Sequence, residues 1–243
     1  MSAKDTLYAT GLPHTDFVFD DKVVAVFPDM INRSVPGYAT IIAMIGTLAA
    51  QYAQPGTRCY DLGCSLGAAS LSMRRSIKVA DCEIVGVDNS EAMVRSCREA
   101  FAKDTGSIPV TVECGDILDT PIENASVVVM NFTLQFIDPK ARDGLVKKIF
   151  VGLRPGGMLI LSEKVRFEDP ALNELFIDMH HRFKEQQGYS RLEISRKRAA
   201  LEKVLVPETL SQHKSRLQEA GFFSYDIWFQ CFNFASMVAI KSP

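Results

Sequence analysis

Residues 58–77 constrain the fold of this chain more than any other stretch. Arg58-Cys59-Tyr60-Asp61-Leu62 reads as a short strand, Gly63 to Gly67 carries a turn, and a helix is expected over 66–77. Glycine adopts backbone conformations closed to other residues and lets a turn pass close to a neighbouring group. A strand that runs into a helix through such a turn belongs to an alternating architecture. Its strands form a largely parallel sheet, and its helices cover that sheet.

The rest of the chain continues the alternation. Strands are expected at 83–87, 110–114, 126–130 and 157–162, the 126–130 run being apolar as a doubly covered strand should be. Ser90 is an N-cap for a helix reaching about Lys103, and Asp138-Pro139 supplies a cap and a first-turn proline for another ending near Gly152. Lys147 and Lys148 suit the negative end of that helix. Residues 170–206 interrupt the alternation with helices, the second opened by the capping box Ser190-Arg191-Leu192-Glu193. A last helix stops at Ala220-Gly221, and strands follow at 225–229 and 235–240. The expectation is a single α/β domain, 1–243, with a mostly parallel seven-stranded sheet and helices on both faces. A helical N-terminal segment (1–56) precedes a core (57–243) that carries the helical insertion at about 170–206.

Composition excludes several classes. At 243 residues with 47% hydrophobic and 23% charged, the chain suits one soluble globular domain with a substantial core. A net charge of −2 gives no general attraction to nucleic acid, so no direct nucleic-acid binding is expected. The six cysteines show no CxxC or zinc-type spacing; they read as reduced, mostly buried residues of a cytoplasmic protein, with no metal. The polar, mixed first twenty residues do not read as a signal peptide. Residues 35–54 carry no charge, but Ile41, Ile42, Ile45, Leu48, Ala49 and Tyr52 recur at helical spacing. That is an amphipathic helix half covered by protein rather than a membrane span.

The 63–67 turn resembles the nucleotide-binding turn of S-adenosylmethionine (SAM) enzymes, Asp-x-Gly-x-Gly-x-Gly, with Ser65 where the middle glycine is usual. Alone it is equally compatible with a dinucleotide enzyme or with a tight turn that holds no ligand. Three further positions sharpen it. Asp88 closes the second strand, where a carboxylate can accept both ribose hydroxyls, with Asn89 beside it. Asp116-Ile117 follows the third strand, suited to the adenine amino group and ring, and Asn131 ends the fourth. Each is ordinary as a turn residue. Together, at the ends of consecutive strands, they fit one ligand crevice in a Rossmann-like, class I SAM-methyltransferase fold.

Methyl-acceptor chemistry is harder to find. The fourth strand ends in Asn131-Phe132-Thr133-Leu134, not in the Pro-Pro-Tyr/Phe that grips an amino group, and no cysteine follows a proline as a nucleophile. His180-His181 reads as a packed helix pair before it reads as a base. Arg198 falls on the stripe Ile194, Arg198, Leu201, Leu205, and an arginine in an apolar stripe tends to be paired. It is either an arginine whose stem packs while its head reaches water, or an anion clamp. A cation next to the transferable methyl would be repelled by the sulfonium of SAM, but it would suit a product bearing a carboxylate there.

Distinctive stretches outside the crevice include Val26-Phe27-Pro28-Asp29-Met30, Arg33-Ser34-Val35-Pro36-Gly37-Tyr38, Leu161-Ser162-Glu163-Lys164 and Trp228-Phe229-Gln230-Cys231-Phe232-Asn233-Phe234. With Tyr60 to Ser65 and Asn131-Phe132-Thr133-Leu134-Gln135-Phe136, they make the chain similar to the bacterial carboxy-S-adenosyl-L-methionine synthases over nearly its whole length. Ser65 belongs to that family's own pattern. The resemblance implies a homodimeric transferase that converts SAM and prephenate to carboxy-SAM and phenylpyruvate. The product serves a partner tRNA carboxymethyltransferase, which builds the oxyacetyl group on wobble uridine. It implies cofactor contacts from Tyr38, Gly63, Cys64, Ser65, Asp88, Asn89, Asp116, Ile117 and Asn131. Arg198 of the neighbouring subunit, the expected catalytic clamp together with Tyr38, would hold the new carboxylate. Arg33 is a further candidate for binding substrate or product carboxylates. The competing readings are a conventional SAM-dependent methyltransferase and a non-enzymatic SAM-binding partner protein.

Overall fold

The computed structural model describes residues 3–9, 18–202 and 204–243; residues 1, 2 and 10–17 of the polar N-terminal stretch lie outside the described residues. The helical N-terminal segment consists of α1 (Asp21–Ser34) and α2 (Tyr38–Tyr52). Asp20 caps α1 by accepting from the N–H groups of Lys22 and Val23. Of the expected stripe on α2, Ile41, Ile45 and Ala49 are buried, and no described helix is long and apolar enough to cross a membrane.

The core follows the alternation: β1 (Arg58–Leu62), α3 (Ala68–Ser76), β2 (Glu83–Asp88), α4 (Glu91–Lys103), β3 (Val110–Cys114), β4 (Ala125–Asn131), α5 (Pro139–Gly152) and β5 (Leu153–Arg166). The insertion supplies α6 (Pro170–Gln186) and α7 (Arg191–Leu201); β6 (Glu208–Thr209), α8 (Leu210–Ala220), β7 (Ser224–Cys231) and β8 (Phe234–Ile240) complete the chain. The main sheet runs β3-β2-β1-β4-β5-β8-β7. Strands β1 to β5 are parallel, whereas β8 pairs antiparallel with both β5 and β7.

Seven strands were expected and there are eight among the described residues, because the two-residue β6 pairs with the end of β5 at Val165 and Arg166. A pairing this short leaves no periodic pattern to read. Strand β5 is also longer at both ends than the apolar run 157–162 suggested. The two lysines of α5 do not serve its C-terminus. Lys148 Nζ donates to the carbonyls of Ile117, Leu118 and Thr120, and Lys147 Nζ to that of Ala220. Lys148 thus ties α5 to the loop after β3, and Lys147 ties it to the C-terminal end of α8.

Apolar side chains fill both faces of the sheet. One face packs Leu62, Val128, Leu145, Ile149 and Phe222, and the other Ile41, Ile45, Met73, Ile84 and Val129. Strand register then sets the site. Leu62 lies opposite Val87, Asp88 opposite Cys114, and Asn131 opposite Ser162, so the carboxyl ends of β1 to β5 share one rim. The connection order reverses between β1 and its two neighbours, β2 and β4. In a sheet of this kind such a reversal opens a crevice at the strand ends.

Candidate functional site

A cavity of about 840 Å³ opens at that rim. Gly63, Cys64, Ser65, Asp88, Asn89, Asp116, Ile117, Asn131 and Tyr38 all line it, as does Arg198 of the same chain; of the expected site residues, Arg33 does not.

The turn is built by backbone constraint. Gly63 (φ 79°) places its N–H and that of Cys64 on the Val87 carbonyl, and a Cβ on Gly63 would lie 2.4 Å from the Thr133 side chain. Gly67 (φ 79°) is the N-cap of α3 and offers no capping side chain. Asp61, buried beneath the turn, takes the N–H and hydroxyl of Ser70 at 3.0 and 2.5 Å. Burial pushes its carboxyl up to about 6 against those two bonds. Ser65 sits at φ 49°, in the left-handed region that explains why glycine is usual there. Its N–H donates to Asp88 Oδ2 at 2.8 Å, and its hydroxyl to Met93 Sδ at 3.4 Å.

Asp88 is held from both sides, since Oδ1 accepts from the Ser90 N–H at 2.9 Å. Each oxygen keeps a second lone pair, so an ordered carboxylate remains able to accept a pair of hydroxyls. Asp116 Oδ1 accepts from the Leu118 N–H at 2.8 Å, which is a turn role, while Ile117 is buried at the crevice wall. Asn131 Oδ1 is buried with no hydrogen-bond partner. A buried amide oxygen without a partner is costly, and a ligand donor at this position would satisfy it. The Tyr38 phenol is pushed up by burial and then by the Asp61 charge, so it stays protonated as a donor. The Cys64 thiol is pushed up by its Cys97 neighbour and by burial, which makes it a packing group rather than a nucleophile.

Glu163, at the end of β5, was not singled out from the sequence. Its carboxylate accepts from the N–H groups of Leu134 and Gln135 at 2.9 and 2.8 Å. These bonds pin the loop after Asn131, whose Phe132 takes φ 62°. Burial pushes Glu163 up to about 8.

Two expectations need correction. Arg198 is not the inward cation of α7: its side chain is 53% exposed and its Nε donates to Glu202 at 2.6 Å. The helix ends at Leu201, so Leu205 does not continue the stripe, and the buried positions are Ile194 and Lys197. Arg198 still lines the cavity from the rim. Arg33 is not a free carboxylate ligand. Its Nε donates to the Gln187 carbonyl, its Nη1 to Asp29 and the Asp5 carbonyl, and its guanidinium stacks 3.8 Å from the Tyr189 ring centroid. It braces the insertion against α1 and is absent from the cavity wall.

The cavity is also lined by cations that the sequence did not mark out. Lys164 (β5), Lys184 (α6) and Lys197 (α7) line it, with His180 and His181. His180 Nε2 meets the Ser34 carbonyl at 2.8 Å and must donate, and burial pushes its pKa down to about 2, so it is a packed neutral ring. Lys184 stands four residues after His180, on the same helix face, a spacing that does not by itself mark a buried charge.

A family model described as a methyltransferase domain matches residues 60–157. The carboxy-S-adenosyl-L-methionine synthase of Geobacter sp. (strain M21) is 62% identical over 239 residues, covering 98% of both chains. That of Aliivibrio fischeri is 58% identical over 245 residues, covering 99% of this chain and 100% of the relative. Among solved structures, human N-acetylserotonin methyltransferase in complex with SAM aligns with a TM-score of 0.62 at 16% identity, over 92% of this chain and 56% of that one. The cyclase SpnF aligns at 0.57 and 16% identity, over 82% and 80%. These structures establish the class I SAM-methyltransferase fold. One is named a methyltransferase and the other a cyclase, so the chemistry must be read from the site.

Proposed function

Because the chain belongs to the carboxy-S-adenosyl-L-methionine synthase family, we propose that its cavity brings SAM and prephenate together and forms carboxy-SAM, phenylpyruvate and water. The observation that carries this reading is one cavity lined by two unlike sets of residues. The glycine turn, Asp88, Asp116 and the unpartnered Asn131 oxygen suit a nucleoside; Lys164, Lys184 and Arg198 suit carboxylates. Gly63, Cys64, Ser65, Asp88, Asn89, Asp116, Ile117, Asn131 and Tyr38 are assigned to SAM. A sulfonium acidifies its methyl C–H and can stabilise negative charge on that carbon.

The atoms balance without an external oxidant. Prephenate loses its ring carboxyl group as carbon dioxide, and its hydroxyl leaves with the methyl proton as water. The ring becomes aromatic, and the new C–C bond joins the carboxyl to the former methyl. No side chain needs to act as a strong base, so positioning and charge stabilisation supply the catalysis. Arg198 is assigned to the new carboxylate. A homodimer, with Arg198 delivered across subunits, a cytoplasmic setting, no direct nucleic-acid or membrane binding, and a downstream tRNA carboxymethyltransferase that consumes the product are parts of the same proposal.

Arg198→Ala tests the clamp by calorimetry. Carboxy-SAM affinity should fall by about 0.2–1 kcal/mol, the range of a solvent-exposed ion pair, while SAM affinity changes little. Equal losses for both ligands would contradict the assignment. Mixing this variant with a crevice-defective subunit should restore activity if Arg198 crosses between subunits; no rescue would place the clamp within its own chain.

A further inference from the structure

The cations that line the cavity are not equally satisfied. Lys197 Nζ meets Ser34 Oγ at 2.9 Å and Asp5 Oδ2 at 3.7 Å, and Arg198 pairs with Glu202. Among the described residues, Lys164 Nζ and Lys184 Nζ have neither a hydrogen bond nor an ion pair, although Lys184 is only 6% exposed. Asn233, 3% exposed on the same wall, has its Oδ1 buried without a partner. Burial first, and then Lys164, Lys197 and Arg198, depress Lys184 to about 7; Lys164 is depressed by burial and by Arg198. An unpaired buried ammonium costs several kcal/mol unless an anion joins it. Lys184 is buried and Lys164 half-buried, with the Glu202 charge acting on Lys164; both line the cavity without a direct partner, which suits an anionic ligand. Ile177, Leu201, Leu205 and Phe234 add apolar surface to the same cavity, enough to face a six-membered carbon ring.

We infer that Lys164 and Lys184 are the substrate-binding pair for the side-chain carboxylate that the second substrate keeps, not for the ring carboxylate that it loses. This rests on the proposed reaction. A carboxylate departing as neutral carbon dioxide gives up its charge in the transition state, so a cation paired with it would favour the ground state and slow the step. The retained carboxylate keeps its charge throughout and can be anchored at no such cost. Lys164 and Lys184 therefore hold the side chain, and the ring carboxyl is left free to depart towards the former methyl, where Arg198 receives it after transfer.

The test uses enzyme loaded with S-adenosylhomocysteine, which has no methyl group and cannot turn over. Prephenate is titrated into wild type, Lys164→Met, Lys184→Met and Lys184→Arg. Both methionine variants should bind prephenate about tenfold or more weakly, with the arginine variant recovering part of the loss and S-adenosylhomocysteine affinity held within about twofold throughout. Without ligand, Lys184→Met should melt higher than wild type, because an unpaired buried charge is gone; a purely structural lysine would give a lower melting temperature. Unchanged prephenate affinity in both methionine variants, or no prephenate binding to wild type, would overturn the inference. If binding depends on the lysines but wild type forms no carboxylated SAM, the reaction fails and the subsite stands.

Discussion

At Ser65 the backbone turns left-handed, with φ at 49°, and a side chain there costs about 1–2 kcal/mol relative to glycine. The same conformation aims its N–H at Asp88 Oδ2, so the strained residue also orders the carboxylate assigned to the ribose. Strain and function can be separated by comparing Ser65→Gly with Ser65→Ala. Both lose the hydroxyl contact with Met93, but only glycine relieves the backbone. In thermal or urea unfolding the glycine variant should be the more stable of the two by about 1 kcal/mol. Equal stability would mean that the turn is not strained at this residue. The unusual serine was visible in the sequence, but its φ was not, because Gly63 and Gly67 on either side already account for a turn.

At the scale of elements, α6, α7 and the end of β5 bring charges onto one cavity. Lys164 faces it from β5, His180, His181 and Lys184 from α6, Lys197 and Arg198 from α7, and Glu202 from just beyond. Lys184 is depressed to about 7 and Lys197 to about 8, both first by burial. A lysine with a lowered pKa is charged below that value and neutral above it, so the cavity loses positive charge as pH rises through this window. Both histidines are depressed, which leaves His180 neutral there, and Arg198 is paired with Glu202. With SAM saturating, the KM for prephenate should therefore rise as pH increases through 7 to 8. Bound carboxylate pulls the lysine pKa upward, so the rise begins at the value of the free enzyme and levels off at the higher value of the complex. A KM that stays flat across this range would contradict the placement of the lysines against the substrate. These elements were only partly legible beforehand. The capping box at Ser190 marked the start of α7, but the phase of the helix put Lys197 inside and Arg198 on the rim, and the reading from Ile194 to Leu205 ran past the helix end.

For the molecule as a whole, the alternation of strand and helix was enough to order the sheet, since parallel strands joined through helices leave few topologies. The residues assigned to the nucleoside were legible for the same reason: apart from Tyr38 at the start of α2, each lies at or just after the end of a strand whose position the pattern gives. The residues assigned to carboxylates were not. They come from β5, α6, α7 and the loop before β8, elements distant in sequence whose approach no local pattern encodes, and the lysines among them look like any solvated charge until the insertion folds over them. Both sets of residues line one cavity, and the central claim is that carbon crosses there from one ligand to the other. The direct measurement is a single turnover with prephenate isotopically labelled only at its ring carboxyl, followed by intact mass analysis of the nucleoside product. The account predicts a SAM derivative heavier by one labelled carbon dioxide, unlabelled phenylpyruvate, and no S-adenosylhomocysteine. Unlabelled SAM recovered intact, or S-adenosylhomocysteine formed alongside a methylated acceptor, would contradict it.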